Sequence, residues 1–236
     1  AAAAKAAQMF TIVNPNNPTG NYVDETTAAA IATMLAKTHT PLIADEVFFP
    51  FTLDDTPKTL PRLANLEGVV TFSLDGLSKL LAAPGLKLGW IRLTGPAALT
   101  SEYARSLDLI ADSYLAVGSP IALALPALLD HADAAVVRIK ERLAANLSAA
   151  QNIFSAASGL RVRYSAGGWM ALIDTPPLTP GTELAYSVLR QGQIFIHPGW
   201  FYDLDSPRAL ALSLLPEPTS FAASCHILRE VIESVE

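Results

Sequence analysis

The 236 residues are 51% hydrophobic and 16% charged, with a formal net charge of −6, where an ordinary charged share is about 25%. The acidic balance excludes the basic stripe of a nucleic-acid binder, and a single cysteine, Cys225, excludes an internal disulfide and a cysteine-rich metal site. No apolar run reaches the length of a membrane span and no signal peptide opens the chain, so the expected location is cytoplasmic, without a membrane partner.

The chain opens on Ala1-Ala-Ala-Ala-Lys5-Ala-Ala-Gln8. This stretch reads as the tail of a helix whose front is absent, or as a flexible alanine-rich tag. Met9 to Asn14 is β-branched and aromatic and reads as a short buried strand stopped by Pro15. Asn14-Pro-Asn-Asn-Pro-Thr-Gly20 is turn chemistry throughout, because proline sets φ, asparagine tolerates left-handed backbone and glycine closes the loop. Asp24 can then cap a helix to about Lys37, with Ala28, Ile31, Met34 and Leu35 on one face. Pro41 to Asp45, Val69 to Ser73 and Gly89 to Thr94 read as further strands. Helices follow over Pro96 to Leu109, Pro120 to Leu129 and about Ala132 to Ala157.

Beyond that point the rhythm changes. Strands are expected at Leu160 to Tyr164, Trp169 to Ile173, Ile194 to Ile196 and Ala209 to Leu214, with helices at Glu183 to Gln191 and Ser220 to Val235. The expected fold class is therefore α/β, a mainly parallel sheet flanked by helices over residues 1–130. A smaller α+β C-terminal domain occupies 131–236. A sheet buried on both faces, or a large subunit interface, accounts for the apolar excess.

Three polar residues stand at the ends of apolar strands. Lys79 lies in a Gly/Ser-rich turn after Val69 to Ser73, and a loop at the carboxyl end of a buried strand is where open α/β sheets place their chemistry. An amine partly removed from water titrates lower and can attack a carbonyl, although a lone lysine in a polar turn is more often a surface charge. Asp45 follows Leu42-Ile-Ala44 and precedes Glu46-Val-Phe-Phe-Pro50. A carboxylate in that setting either caps a backbone group or faces a cation. Asn17 is the third, within its own loop. Amine, carboxylate and amide donor together match pyridoxal phosphate, which needs a lysine for its aldehyde, a carboxylate for its pyridinium nitrogen and a donor for its phenolate oxygen.

The runs Asn14 to Gly20, Ala44-Asp-Glu-Val-Phe48, Ser78-Lys79 and Pro84-Gly-Leu-Lys-Leu-Gly-Trp90, in this order, resemble the class I/II aminotransferase family of fold-type I pyridoxal-phosphate enzymes. A looser similarity continues through Gly167-Gly-Trp169, Ile196-His-Pro-Gly199 and Leu212-Ser-Leu-Leu-Pro216. The resemblance covers most of the chain, as the second half of a large domain followed by a small domain. It implies pyridoxal 5'-phosphate as cofactor, an amino acid and a 2-oxo acid as substrates, and a homodimer. It makes Lys79 the Schiff-base lysine and proton shuttle, Asp45 the partner of the ring nitrogen and Asn17 the donor to the phenolate oxygen. Val47 would pack under the ring, Phe48 would stand beside the phenolate, and Ser78 and Lys87 would meet the phosphate. Trp169 and Arg208 are the candidates on the substrate side, with His197 and Tyr202 as further pocket lining.

The chain also departs from the family pattern. Phe48 stands where a tyrosine is usual, which leaves more negative charge on the phenolate and predicts a Schiff base that keeps its proton to higher pH. Gly76 stands where a serine is frequent, three before the lysine, and Lys87 where an arginine is common. Arginine grips phosphate through a planar fork, lysine as a point charge. No arginine for the substrate carboxylate stands near Ala211-Leu-Ser213; Arg208 is close in sequence, and Arg92, Arg161 and Arg163 match no motif. The family's front half, with the aromatic stacked on the cofactor and the glycine-rich helix start at its phosphate, is not in this sequence. A β-elimination lyase would use the same Lys79, Asp45 and Asn17. A non-catalytic aminotransferase-like domain is the other alternative, including the sensing domain of a transcription regulator, whose basic DNA-binding segment this chain lacks.

Overall fold

Apolar runs and helix-period segments resolve into two separate four-stranded sheets in the computed structural model, which describes residues 7–53, 60–114, 117–155, 159–176 and 180–235. The first six residues of the alanine-rich opening, and the expected helix end at 156–157, lie outside the described residues. The described residues of Ala1–Pro15, Tyr22–Pro50 and Thr56–Val136 form one compact unit, and those of Asn16–Asn21, Phe51–Asp55 and Val137–Glu236 form a second.

In the first unit β1 (Phe10–Val13), β2 (Leu42–Asp45), β3 (Thr71–Gly76) and β4 (Gly89–Thr94) lie side by side in that order. The first three are parallel and β4 runs antiparallel to β3. Val13 pairs with Asp45 and Asp45 with Leu74, so the carboxyl ends of three strands share one edge. Helix α1 (Glu25–Thr38) joins β1 to β2. Asp24 caps it, its Oδ1 accepting the Thr27 N–H at 2.7 Å, and His39 ends it in a left-handed conformation. Ala28 and Leu35 are buried and Ile31 and Met34 pack beside them, against Leu42, Ala44, Leu63 and Val69. This is the apolar face that the 3.6-residue period anticipates.

Strand β3 starts two residues later than the sequence pattern suggests and continues three further. Its end carries Asp75 and Gly76, which look like a turn, yet β4 pairs along it with Asp75 opposite Trp90 and Gly76 opposite Gly89. The expected loop around Lys79 is therefore corrected. A single helical turn, α2 (Leu77–Leu80), follows the strand directly and carries the lysine. Helices α3 (Ala97–Asp112), α4 (Ser119–Leu129) and α5 (Ala132–Ser155) follow. Among the described residues, no single helix is long and apolar enough to cross a membrane, and no group of three His, Cys, Asp or Glu side chains could hold a metal ion.

In the second unit β5 (Arg161–Val162), β6 (Met170–Asp174), β8 (Ala209–Ser213) and β7 (His197–Pro198) form an antiparallel sheet in that spatial order. Helices α6 (Gly181–Gly192) and α7 (Pro218–Val235) contribute Leu184, Val188, Phe221, Cys225 and Leu228 to its core. The strand expected at Ile194 to Ile196 forms instead at His197–Pro198. Only there does the backbone meet β8, with His197 opposite Ala211 and Pro198 opposite Leu210. A proline is tolerated because β7 is an edge strand. Two sequence-distant segments complete this unit. Thr52 bridges to Gly167, and Gly168 N–H donates to the Phe51 carbonyl at 2.9 Å. Gly20 has φ +72°, and a Cβ there would run into Ser165 Oγ and lie 2.5 Å from the Gly167 carbonyl, so no other residue closes this loop without strain.

Candidate active site

The shared carboxyl edge of β1, β2 and β3 gathers the polar residues of the first unit. Asn14 follows β1, Asp45 ends β2, and α2 brings Lys79 three residues past β3. Gly76 is required by packing: a Cβ on it would lie 3.0 Å from the Leu88 carbonyl oxygen and 3.0 Å from Gly89 Cα. That close approach of β4 explains the glycine where the family often has a serine.

Lys79 Nζ lies 5.3 Å from the centre of the Phe48 ring, on its face. Phe48 is buried and Lys79 half-buried, so the ring's negative face attracts the ammonium in a partly desolvated setting. Asp45 is also half-buried. One of its oxygens accepts the Val47 N–H at 3.2 Å, and the other accepts no hydrogen bond from the described residues. The carboxylate thus caps a backbone group and keeps acceptor capacity. Val47 and Ser78 are half-buried, whereas Lys87 is exposed, in a left-handed turn with φ +51°.

Glu46 is the member of this edge that sequence reasoning missed. It is completely buried. Its Oε1 accepts Asn14 Nδ2 at 3.3 Å and the Leu63 N–H at 3.0 Å, and its Oε2 accepts the Ser73 hydroxyl at 3.0 Å. Arg62 Nη1 stands 3.7 Å from Oε2, with its guanidinium 3.9 Å above the Phe49 ring. The available signal was a second acidic residue inside the apolar run Leu42 to Phe49, which cannot be buried unpaired.

Asp75 adds a third carboxyl. Its Oδ1 accepts the Gly76 N–H at 2.7 Å. Burial pushes its pKa up; the Gly76 hydrogen bond and Arg62 pull it down, while Glu46 and Asp45 raise it further. The folded state therefore holds this proton more tightly than the unfolded chain. The associated stability is complete below the ordinary aspartate range and is lost as pH rises through the elevated folded value. We expect Asp75→Asn to flatten this part of the profile of melting temperature against pH. An Asp75→Asn profile parallel to wild type would contradict this.

Asn17, Trp169 and Arg208 belong to the second unit. Asn17 is exposed. Trp169 is 7% exposed and meets the Phe51 ring edge-on at 5.2 Å, which is a core position. Arg208 is exposed, and its Nη1 donates to the Thr175 carbonyl at 3.3 Å. Arg163 Nε donates to both Asp174 oxygens, at 2.9 and 3.0 Å, and Nη2 reaches Ser206. That pairing holds its guanidinium above its usual pKa. His197 Nδ1 shares a hydrogen bond of 2.8 Å with the Tyr202 hydroxyl.

The carboxyl edge of the parallel strands thus carries a half-buried carboxylate, Asp45, and the helical turn after β3 a half-buried lysine, Lys79. The profile of aminotransferase class I and II matches residues 1–217, and the chain belongs to this family. It is 33% identical over 125 residues to the S-alkyl-thiohydroximate lyase of Arabidopsis thaliana, covering 52% of this chain and 27% of that protein. It is 25% identical over 232 residues to an alanine aminotransferase of Mycobacterium bovis, covering 94% and 53% respectively. Tyrosine aminotransferase from Leishmania infantum shares the fold with a TM-score of 0.86 at 18% identity, over 99% of this chain and 59% of that one. The chain thus spans 27% to 53% of the length of these two curated relatives.

Proposed function

We propose that the protein binds pyridoxal 5'-phosphate and moves an amino group from an amino acid to a 2-oxo acid. The observation that carries this reading is the donor set on the edge of β2 and β3: the Lys79 amine over the Phe48 ring, and the open oxygen of a half-buried Asp45. These groups fit the cofactor. Lys79 Nζ would join the aldehyde and Asp45 would accept the proton-bearing ring nitrogen, with Val47 packed under the ring. Ser78 and Lys87 would meet the phosphate. When bound, the cofactor supplies an electron-withdrawing ring that accepts the electron pair left as the substrate Cα loses its proton. Lys79, once free of the aldehyde, would take that proton and return one, the role of a positioned amine. The reading treats residues 1–130 as the C-terminal part of the cofactor-binding domain and 131–236 as the small domain, within a cytoplasmic homodimer.

A second reading is favoured by the 33% identical lyase relative: the same groups would drive β-elimination. The two differ in products. Incubation with cofactor, an amino acid panel and a 2-oxo acid acceptor yields a new amino acid plus a new 2-oxo acid if the first reading holds. Ammonia or thiol release without any acceptor supports elimination. Neither product, from protein that binds the cofactor, identifies a non-catalytic aminotransferase-like domain and overturns both.

A further inference from the structure

Two acidic neighbours, Asp45 and Glu46, leave the same strand end with opposite fates. Asp45 is half-buried and keeps an oxygen open, whereas Glu46 is fully buried and saturated. The partners of Glu46 come from three places: Asn14 after β1, Ser73 in β3, and Leu63 with Arg62 in the turn between β2 and β3. Asn14 is itself buried and anchored, its N–H on the Asp45 carbonyl at 2.8 Å and its Oδ1 accepting the Val23 N–H at 3.0 Å. One carboxylate therefore ties the ends of β1 and β2 to the middle of β3.

Charge sharpens the point. Among the described residues, Arg62, Glu46 and Asp45 all act electrostatically on Asp75, and Arg62 also acts on Tyr22. The guanidinium has a choice of carboxylates, and Glu46 takes it at 3.7 Å. Removing one member of a buried pair leaves the other charge uncompensated. A released Arg62 would turn to the remaining carboxylates of this edge.

We propose that Glu46 is a positioning residue of this site: it engages Arg62 and joins the ends of β1 and β2 to β3, so that Asp45 keeps an open oxygen for a cationic ring nitrogen. The proposal rests on the functional reading above for the identity of that nitrogen.

Glu46→Gln keeps the side-chain volume and removes the charge. Titration with pyridoxal phosphate, followed by absorbance, should show affinity reduced about tenfold or more, the scale of one hydrogen bond to a charged group. Arg62→Gln added to Glu46→Gln should recover most of that loss, since no guanidinium then competes for Asp45. Binding equal to wild type in Glu46→Gln overturns the proposal, as does a double variant that binds no better than Glu46→Gln. A purely structural role would make the two losses add.

A second measurement needs no cofactor. Carboxyl ¹³C titration of Asp75 should move to lower pH in Glu46→Gln, and Arg62→Gln should raise it further in that background than in wild type. Equal steps in the two backgrounds overturn the assignment. A wild-type chain that binds no cofactor overturns the functional reading instead, and the Asp75 titration still decides whether Glu46 holds Arg62.

Discussion

Replacing Lys79 by alanine is expected to abolish the visible absorption band that forms when pyridoxal phosphate bonds to the wild-type chain. It should also reduce turnover by about 100- to 10,000-fold through lost proton transfer alone. Two properties of the side chain are removed together: a nucleophilic amine and a positive charge on the Phe48 ring face. Lys79→Arg separates them. Arginine keeps the charge and the attraction to the ring, yet its guanidinium stays protonated and forms no such bond. Both variants should therefore lose the band, with Lys79→Arg retaining more non-covalent cofactor binding. A band that survives in either variant would remove Lys79 from its assigned role. Addition of amino acids to the wild-type complex should shift the band, and no shift would argue against amino-acid substrates.

Phe51→Ala is expected to cost about 3–5 kcal/mol in the second unit, the range for truncating a buried aromatic. Phe51 is fully buried and meets Trp169 edge-on. Its carbonyl accepts the Gly168 N–H, and its neighbour Thr52 bridges to Gly167, so the backbone holds the cavity open and limits collapse. A loss of this size is a large fraction of the 5–15 kcal/mol stability typical of a whole domain. Urea unfolding followed by tryptophan fluorescence measures it. Trp169→Ala combined with Phe51→Ala should cost less than the sum, because the two cavities merge. A Phe51→Ala cost below about 1 kcal/mol would show that the 51–53 segment is not part of this core.

The elements read most securely from sequence were those whose signals are local. Asp24 caps α1, and Ala28, Ile31, Met34 and Leu35 line its inner face, because capping and helical period involve neighbours within one or two turns. The bounds of β4 were legible for the same reason, as a strand between glycine-bearing turns. The turn chemistry of Asn14 to Gly20 and the apolar setting of Asp45 likewise mark two strand ends in the sequence.

What depended on distant chain was not legible. The end of β3 looked like a turn, and only pairing with β4 makes Asp75 and Gly76 a strand and Lys79 a helical residue. The strand near Ile196 moved to His197–Pro198 because β8 decides where a partner backbone exists. Glu46 was passed over because its value lies in Asn14, Ser73, Leu63 and Arg62, which are 16 to 32 residues away in sequence. The sequence by itself pointed to the α/β character, the strand ends and the amine and carboxylate of the first unit's edge, while the Asn17 amide belongs to the second unit. Tertiary structure alone decided which carboxylate is saturated and which stays open, since the cost of burying a charge is met only by partners that folding brings to it.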